Sequence, residues 1–263
     1  MRKLLFLIFI ISIFSCSKDE IENTSVLPKP LIENFSYFFM LGPSAVLHST
    51  TSNLVTLEYD SNNLLLARNG GYSNLSPSSG FNYFFDNEVQ FTFTYLDEEI
   101  IIERNPSHTS PLNKKTTFLL EDDKIVQKIV ENPNTIMTFY EYNSIEKISN
   151  SITTINTWNY MESHYYYSTM KNLDSVITRT YQSNVPIKKV VEVFSEYDNV
   201  QNPLKNMMFF EDTFYRSLSE NNYSKYEYFI YNTYYDDESL AGQGYKNWSL
   251  VYDESGNINF SPE

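Results

Sequence analysis

From about Phe35 onward the chain alternates apolar and polar residues in short runs, and this period of two constrains its fold more than any other feature. Val89-Gln90-Phe91-Thr92-Phe93-Thr94-Tyr95 alternates without an error. Alternation sends successive side chains to opposite faces, as a half-buried strand requires and a helix does not. Similar runs are LVTLEY at 54–59, IMTFYEY at 136–142, DSVITRTY at 174–181, IKKVVEVF at 187–194, YEYFIYN at 226–232 and WSLVY at 248–252. All are rich in β-branched and aromatic residues, which suit a pleated surface.

Short polar turns separate several of these runs, often opened by Tyr and an acidic or amide residue. Instances are Tyr59-Asp60-Ser61-Asn62-Asn63, Glu121-Asp122-Asp123-Lys124, Tyr142-Asn143-Ser144 and Tyr252-Asp253-Glu254-Ser255-Gly256-Asn257; Asn69-Gly70 is a further hairpin signal. Only 7 Gly are present, so the turns must lean on Asn, Asp and Ser, which tolerate left-handed backbone better than most residues. Short loops force neighbouring strands to pair antiparallel. The expectation is a single all-β domain over residues 35–263, an antiparallel meander of hairpins forming a curved open sheet or half-barrel. One helical connection is expected at Leu204 to Leu218, where Met207, Phe210, Phe214 and Leu218 make an apolar stripe; it reads as a helix or pair of turns capping one end of the sheet.

The N-terminus carries an address. Arg2 and Lys3 precede an apolar run from Leu4 to Phe14, the pattern of a secretory signal. That run is about 11 residues where a membrane-spanning helix needs roughly 20, so removal rather than permanent insertion is expected. Cys16 is the chain's 1 cysteine and has no partner for a disulfide. Residues 17–34 are polar, contain two prolines and read as a tether.

Composition narrows the functional classes. Losing residues 1–15 removes Arg2 and Lys3 and takes the formal net charge from -14 to about -16, which repels nucleic acid. Lys114-Lys115 and Lys188-Lys189 are isolated pairs, not a basic patch. With 22 Tyr and 19 Phe the chain has ample aromatic bulk for a core, which excludes wholesale disorder.

Catalytic spacing is missing. His48, His108 and His164 are too dispersed to suggest a metal, and Gly42-Pro43-Ser44 lacks the last glycine of a nucleophile elbow. Gly242 and Gly244 do not make a dinucleotide fingerprint, and Asp236-Asp237-Glu238 lacks the spacing of a calcium loop. No catalytic, cofactor-binding or metal-ligating residue is assigned, and no cofactor is expected. Carboxylate pairs can hydrolyse glycosides, but among 33 acidic residues the sequence singles out none. His164-Tyr165-Tyr166-Tyr167 puts tyrosine on both faces of its strand, one of them able to expose a ring.

Two resemblances refine this. Ile13-Phe14-Ser15-Cys16 resembles a bacterial lipobox, which implies lipid attachment at Cys16, and Ser17-Lys18-Asp19-Glu20 is similar to the acidic export signal of Bacteroidota surface lipoproteins. Glu196-Tyr197-Asp198-Asn199-Val200-Gln201-Asn202-Pro203-Leu204-Lys205-Asn206, followed by Ser219-Glu220-Asn221-Asn222, resembles a family of uncharacterised Bacteroidota lipoproteins built as β-meanders with tyrosine-aspartate-type hairpins. The implied protein touches the outer membrane only through its lipid anchor, faces the exterior and has a non-catalytic binding or structural role. A surface glycan or an outer-membrane protein is the expected partner. A periplasm-facing carrier of a hydrophobic ligand is the alternative, and a glycan-acting hydrolase a more distant one.

Overall fold

A computed structural model describes residues 32–36, 47–48, 54–74, 83–105, 114–131, 135–205, 207–234, 237–254 and 256–262. Cys16, Ser17 to Glu20, Gly42-Pro43-Ser44, His108 and Asp236 lie outside them. The strands in chain order are β1 (Asn34–Ser36), β2 (Leu47–His48), β3 (Leu54–Tyr59), β4 (Leu65–Asn74), β5 (Tyr83–Tyr95), β6 (Glu99–Arg104), β7 (Lys114–Glu121) and β8 (Lys124–Glu131). They continue as β9 (Thr135–Tyr142), β10 (Ile148–Asn156), β11 (Asn159–Tyr167), β12 (Leu173–Gln182) and β13 (Val185–Gln201). A short helix, α1 (Phe214–Ser217), precedes β14 (Asn221–Tyr234), β15 (Asp237–Tyr252) and β16 (Ile258–Pro262).

The expected all-β meander is the observed fold. From β3 to β16 each strand pairs antiparallel with its neighbour in sequence; β1 adds to β3, and the two-residue β2 lies parallel to β5. The sheet curls further than a half-barrel, bringing β1 beside β16. No backbone ladder joins that seam among the described residues; side chains bridge it instead. Asn257 Oδ1 accepts hydrogen bonds from the backbone N–H of Glu33 (3.2 Å) and Asn34 (3.4 Å), and Ser36 Oγ donates to Asn259 Oδ1. Ile32, just ahead of β1, is already buried in the core.

The tyrosine-led turns share one geometry. Asp60, Asn143 and Asp253 each accept two bonds from the turn they open: Asp60 Oδ1 from the N–H of Asn62 (2.9 Å) and Leu64 (2.8 Å), Asn143 Oδ1 from Ile145 (3.1 Å) and Lys147 (3.0 Å). Asp253 takes the N–H and side-chain amide of Asn257. The fourth residue of each turn, Asn63, Glu146 or Gly256, is left-handed. The preceding tyrosine points inward and ties the turn to a neighbouring strand: Tyr59 Oη donates to the Ile32 carbonyl and Tyr142 Oη to that of Ile125, both at 2.9 Å. Tyr167-Ser168 builds a fourth such turn, with Lys171 left-handed and Ser168 Oγ accepting from Asn172 N–H. Glu121-Asp122-Asp123-Lys124 differs: both central residues are left-handed, giving a tight two-residue hairpin.

Asn69-Gly70 is not a hairpin. It lies inside β4, where the register with β5 shifts between Asn69 and Gly71 and Gly70 has φ +92°. Hairpin and bulge both need a positive φ, and here the glycine serves the bulge.

The stretch from Leu204 to Leu218 also departs from expectation. Only Phe214–Ser217 is helical, the rest being successive turns such as Met207 N–H to the Leu204 carbonyl and Thr213 N–H to that of Phe210. Nor does it cap an end. It folds against the concave face of the sheet, where Phe209 meets Phe93 and Phe118 edge-on, Phe214 reaches Tyr140 and Tyr165, and Tyr215 meets Phe194. Leu204, Met207, Phe209, Phe210 and Leu218 are buried, and each contributes about 1.5–3 kcal/mol of hydrophobic stabilisation. Burial against many strands, not helical propensity, dictates its path. This connection between β13 and β14 is a plug.

The residues that carry the family resemblance clasp the base of the plug. Asn202 Nδ2 donates to the carbonyls of Arg216 (2.6 Å) and Ser219 (3.1 Å), while its Oδ1 accepts from Leu204 N–H. Ser219 Oγ accepts from Leu173 N–H, and Asp198 accepts from Asn222 N–H and Tyr252 Oη. Within the plug, Arg216 is fully buried, donates to the Tyr223 carbonyl at 2.7 Å and lies over the rings of Tyr223, Trp248 and Phe260.

Candidate functional site: the barrel lumen

The plug fills the lumen only in part. Beside it, between the inner faces of β8 to β14, lies a cavity of about 510 Å³. That volume falls in the range of small-molecule sites, roughly 300–1,000 Å³. A smaller pocket of about 70 Å³ shares Lys128, Phe210 and Glu211 with it.

Register explains which side chains line it. Strand pairing sets Lys128 beside Thr138 and Thr138 beside Thr153; on the adjacent row it sets Tyr140, Ser151, Ser163 and Thr178 side by side. All of them face the cavity. Their hydroxyls pair off: Thr138 with Thr153 at 2.9 Å, Ser163 with Thr178 at 2.9 Å, and Ser151 with Tyr165 at 3.0 Å. Each pair spends one O–H on the bond and keeps another, with spare lone pairs, to offer a ligand. Tyr140, Tyr226, Tyr228 and Phe214 add aromatic walls.

Two carboxylates face the same space. Glu192 accepts from Tyr226 Oη at 2.7 Å on one oxygen and from Tyr215 Oη at 2.8 Å on the other. Burial pushes its carboxyl above the ordinary range, and the two tyrosine bonds only partly offset that. Burial also pushes Glu211 upward, but nearby Lys114 and Lys128 and the bond from Tyr72 Oη (3.1 Å) outweigh it and hold the carboxyl low. Lys114 Nζ lies 3.6 Å from Glu211. Burial depresses Lys128, a shift that Glu211 opposes and Lys114 reinforces.

The outer face is of another kind. Glu162 and Arg179 are cross-strand neighbours in mid-sheet, on the side opposite Ser163 and Thr178, and Lys189 and Glu227 lie outside in the same way. His164 sits out there too, 3.3 Å from Glu162. Tyr165 is buried inside whereas Tyr166 is exposed. Among the described residues no helix is long and apolar enough to cross a membrane, and no three metal-binding side chains converge.

Of the cavity lining, the sequence drew attention to Tyr165, Lys188, Phe210 and Phe214, each as a strand, surface or packing residue and none as part of a site. Its assignments at Cys16, Ser17, Lys18, Asp19 and Glu20 lie outside the described residues. The available signal was weak: inward positions of β9 to β12 carry Ser and Thr where a filled barrel would carry Leu, Ile or Val.

No family model and no curated protein matches the chain. Among solved structures it is similar to a porin-like protein from Bacteroides uniformis, at 12% identity and a TM-score of 0.47 over 78% of this chain and 79% of that one. It is also similar to a porin-like protein from Bacteroides vulgatus, at 13% identity and a TM-score of 0.48 over 78% and 84%.

Proposed function

We propose that this is an outer-membrane lipoprotein of the Bacteroidota type, held by acyl chains on Cys16, whose body binds a polar, ring-bearing small molecule in its lumen without chemically changing it. The observation that carries the reading is the 510 Å³ cavity left beside the plug, with its rows of hydroxyls and its tyrosine walls. Rings stack on apolar sugar faces while hydroxyls satisfy the sugar's own, so a glycan fragment is the ligand class.

The body is tethered and does not span the bilayer. Mid-sheet Glu162, Arg179, Lys189 and Glu227 face outward, and a Lys or Arg at the lipid-facing midplane costs about 2–4 kcal/mol. Strands β6 to β9, at 6 to 8 residues, are also shorter than the roughly 9–11 that a spanning strand needs.

Carriage of a lipid fits less well. The cavity has apolar walls at Met161, Val190 and Ile230, but an alkyl chain there would also bury the hydroxyl rows and the Lys128 ammonium without partners. Hydrolysis of a glycan is likewise disfavoured: Glu192 has both oxygens engaged by tyrosines, and Glu211 is held by Tyr72 and Lys114.

Two measurements test the reading. The mature body applied to an array of bacterial and host glycans should bind a subset, and Thr178→Trp, which fills the lumen, should abolish that binding while the protein still melts cooperatively. Binding that survives the substitution places the site elsewhere. Protease treatment of intact cells should digest the body, with release of undigested protein into the soluble fraction for Cys16→Ala. Protection until lysis would make it a periplasmic binding protein.

A further inference from the structure

Lys128 and Lys188 both line the large cavity, and of the two only Lys128 also lines the small pocket, where Glu211 is the carboxylate that acts on its charge. Lys114 pairs with Glu211 at 3.6 Å and Arg68 with Asp212 at 2.6 Å, whereas Lys128 makes no hydrogen bond or ion pair with any described residue and faces the Phe118 ring at 6.0 Å. It stands where the large cavity and the small pocket meet, lining both. An ammonium partly withdrawn from water without a close partner is costly, and such a group in a cleft is a candidate for binding an anion.

Its position in the sheet says what kind of ligand that is. Lys128 on β8 is the register partner of Thr138 on β9, which is hydrogen-bonded to Thr153 on β10; the next row carries Ser151, Ser163 and Thr178 out to β12. The ammonium therefore heads a band of hydroxyls. Three inter-strand steps from β9 to β12 make it about 14 Å wide, room for more than one pyranose ring. We infer that the lumen takes an acidic sugar, a hexuronate unit whose carboxylate sits against Lys128 Nζ while its ring and hydroxyls lie along the band from Thr138 to Thr178. This rests on the lumen being the binding site.

Glu211 and Lys114 border the same end and pair with each other, while Glu211 acts on Lys128 through space without a hydrogen bond or ion pair, which leaves the Lys128 ammonium's donors for a carboxylate. The formal net charge of -14 opposes an approaching anion at long range, but physiological salt screens that repulsion beyond about 8 Å. Inside the cavity a charge-assisted hydrogen bond is screened much less.

Titration calorimetry at pH 7 with matched oligosaccharides that differ only at C6, galacturonate against galactose and glucuronate against glucose, tests this. The uronate member of a series should bind about tenfold tighter or more, the effect expected of one hydrogen bond to a charged group. Lys128→Met, of similar length and apolar, should erase that preference without lowering the melting temperature, and Lys128→Arg should keep part of it. Equal affinity for uronate and neutral partner, or a preference that Lys128→Met leaves intact, overturns the inference while the lumen site stands. Binding of both series that Thr178→Trp leaves unchanged, or no binding by either, overturns it together with the lumen reading.

Discussion

Arg68 on β4 and Asp212 in the plug, 144 residues apart, form a bidentate ion pair, Nη1 to Oδ1 at 2.9 Å and Nη2 to Oδ2 at 2.6 Å, with both side chains buried. Arg68 Nε also donates to the Gly70 carbonyl, and the guanidinium lies 4.3 Å from the centre of the Phe210 ring. This pair fastens plug to wall. Asp212→Ala leaves a buried guanidinium uncompensated and should cost about 3–5 kcal/mol, read as a lower urea midpoint. The double variant Arg68→Met with Asp212→Leu should recover most of that loss. A midpoint unchanged in the single variant would show that the plug is held by its aromatic contacts alone.

Asn202 closes the base of the plug with three hydrogen bonds and is 2% exposed. Asn202→Ala strands the Ser219 carbonyl and the Leu204 N–H in the interior, each worth about 1–3 kcal/mol when unsatisfied, while the Arg216 carbonyl keeps the Ser219 N–H. Hydrogen exchange should then quicken in the plug ahead of the strands around it. Uniform acceleration across the barrel would mean that plug and wall open as one unit.

Glu192 makes stability depend on pH in a direction opposite to most carboxylates. Its folded-state value is raised by burial, so between the ordinary value of 4.5 and the raised one the unfolded chain has ionised while the folded protein still holds its proton. Stability is fully present below that window and falls as pH climbs through it. Glu192→Gln keeps a partner for Tyr226 and Tyr215 and does not ionise. Its melting temperature relative to the unaltered protein should rise between pH 4 and pH 8; a difference that stays constant would mean that Glu192 ionises normally.

Gly244 on β15 sits opposite Tyr228 on β14, and a Cβ there would run into the tyrosine ring and hydroxyl. Because Tyr228 lines the cavity, Gly244→Ala should displace its ring into the lumen, at a cost of about 1–3 kcal/mol for overpacking. Glycan binding should weaken by more than the stability loss explains. Unaltered affinity would remove Tyr228 from the site.

The strands and much of the turn chemistry were legible in the sequence because they are local. Alternation in runs such as Val89 to Tyr95 gave strand and facing together, and Tyr59-Asp60, Tyr142-Asn143 and Tyr252-Asp253 carried their turn geometry in two residues. Tyr167-Ser168 escaped notice because a serine does the work of the acid. Asn69-Gly70 misled because its left-handed glycine suits a bulge as well as a hairpin. The apolar stripe from Met207 to Leu218 was real, but a short segment pressed against strands from β5 to β13 follows their shape rather than a helical period.

The lumen could not be read as a site. Lys128, Thr138, Ser151, Ser163, Thr178 and Glu192 come from six strands and meet only when the sheet closes. A serine or threonine on an inward face looks, in sequence, like one on an outward face; a shift of one residue exchanges them. Glu192 and Glu211 were likewise lost among 33 acidic residues until the fold placed them beside one cavity.

The most direct test is a crystal structure of the mature body grown with the tightest-binding glycan from the array. Density for a sugar ring among Tyr140, Tyr226 and Tyr228, with its polar groups on Thr138, Ser163 and Thr178, is the expected result. A glycan seated instead on the outer face, against exposed Phe139, Ile152 or Trp158, with the lumen holding only water, would contradict it.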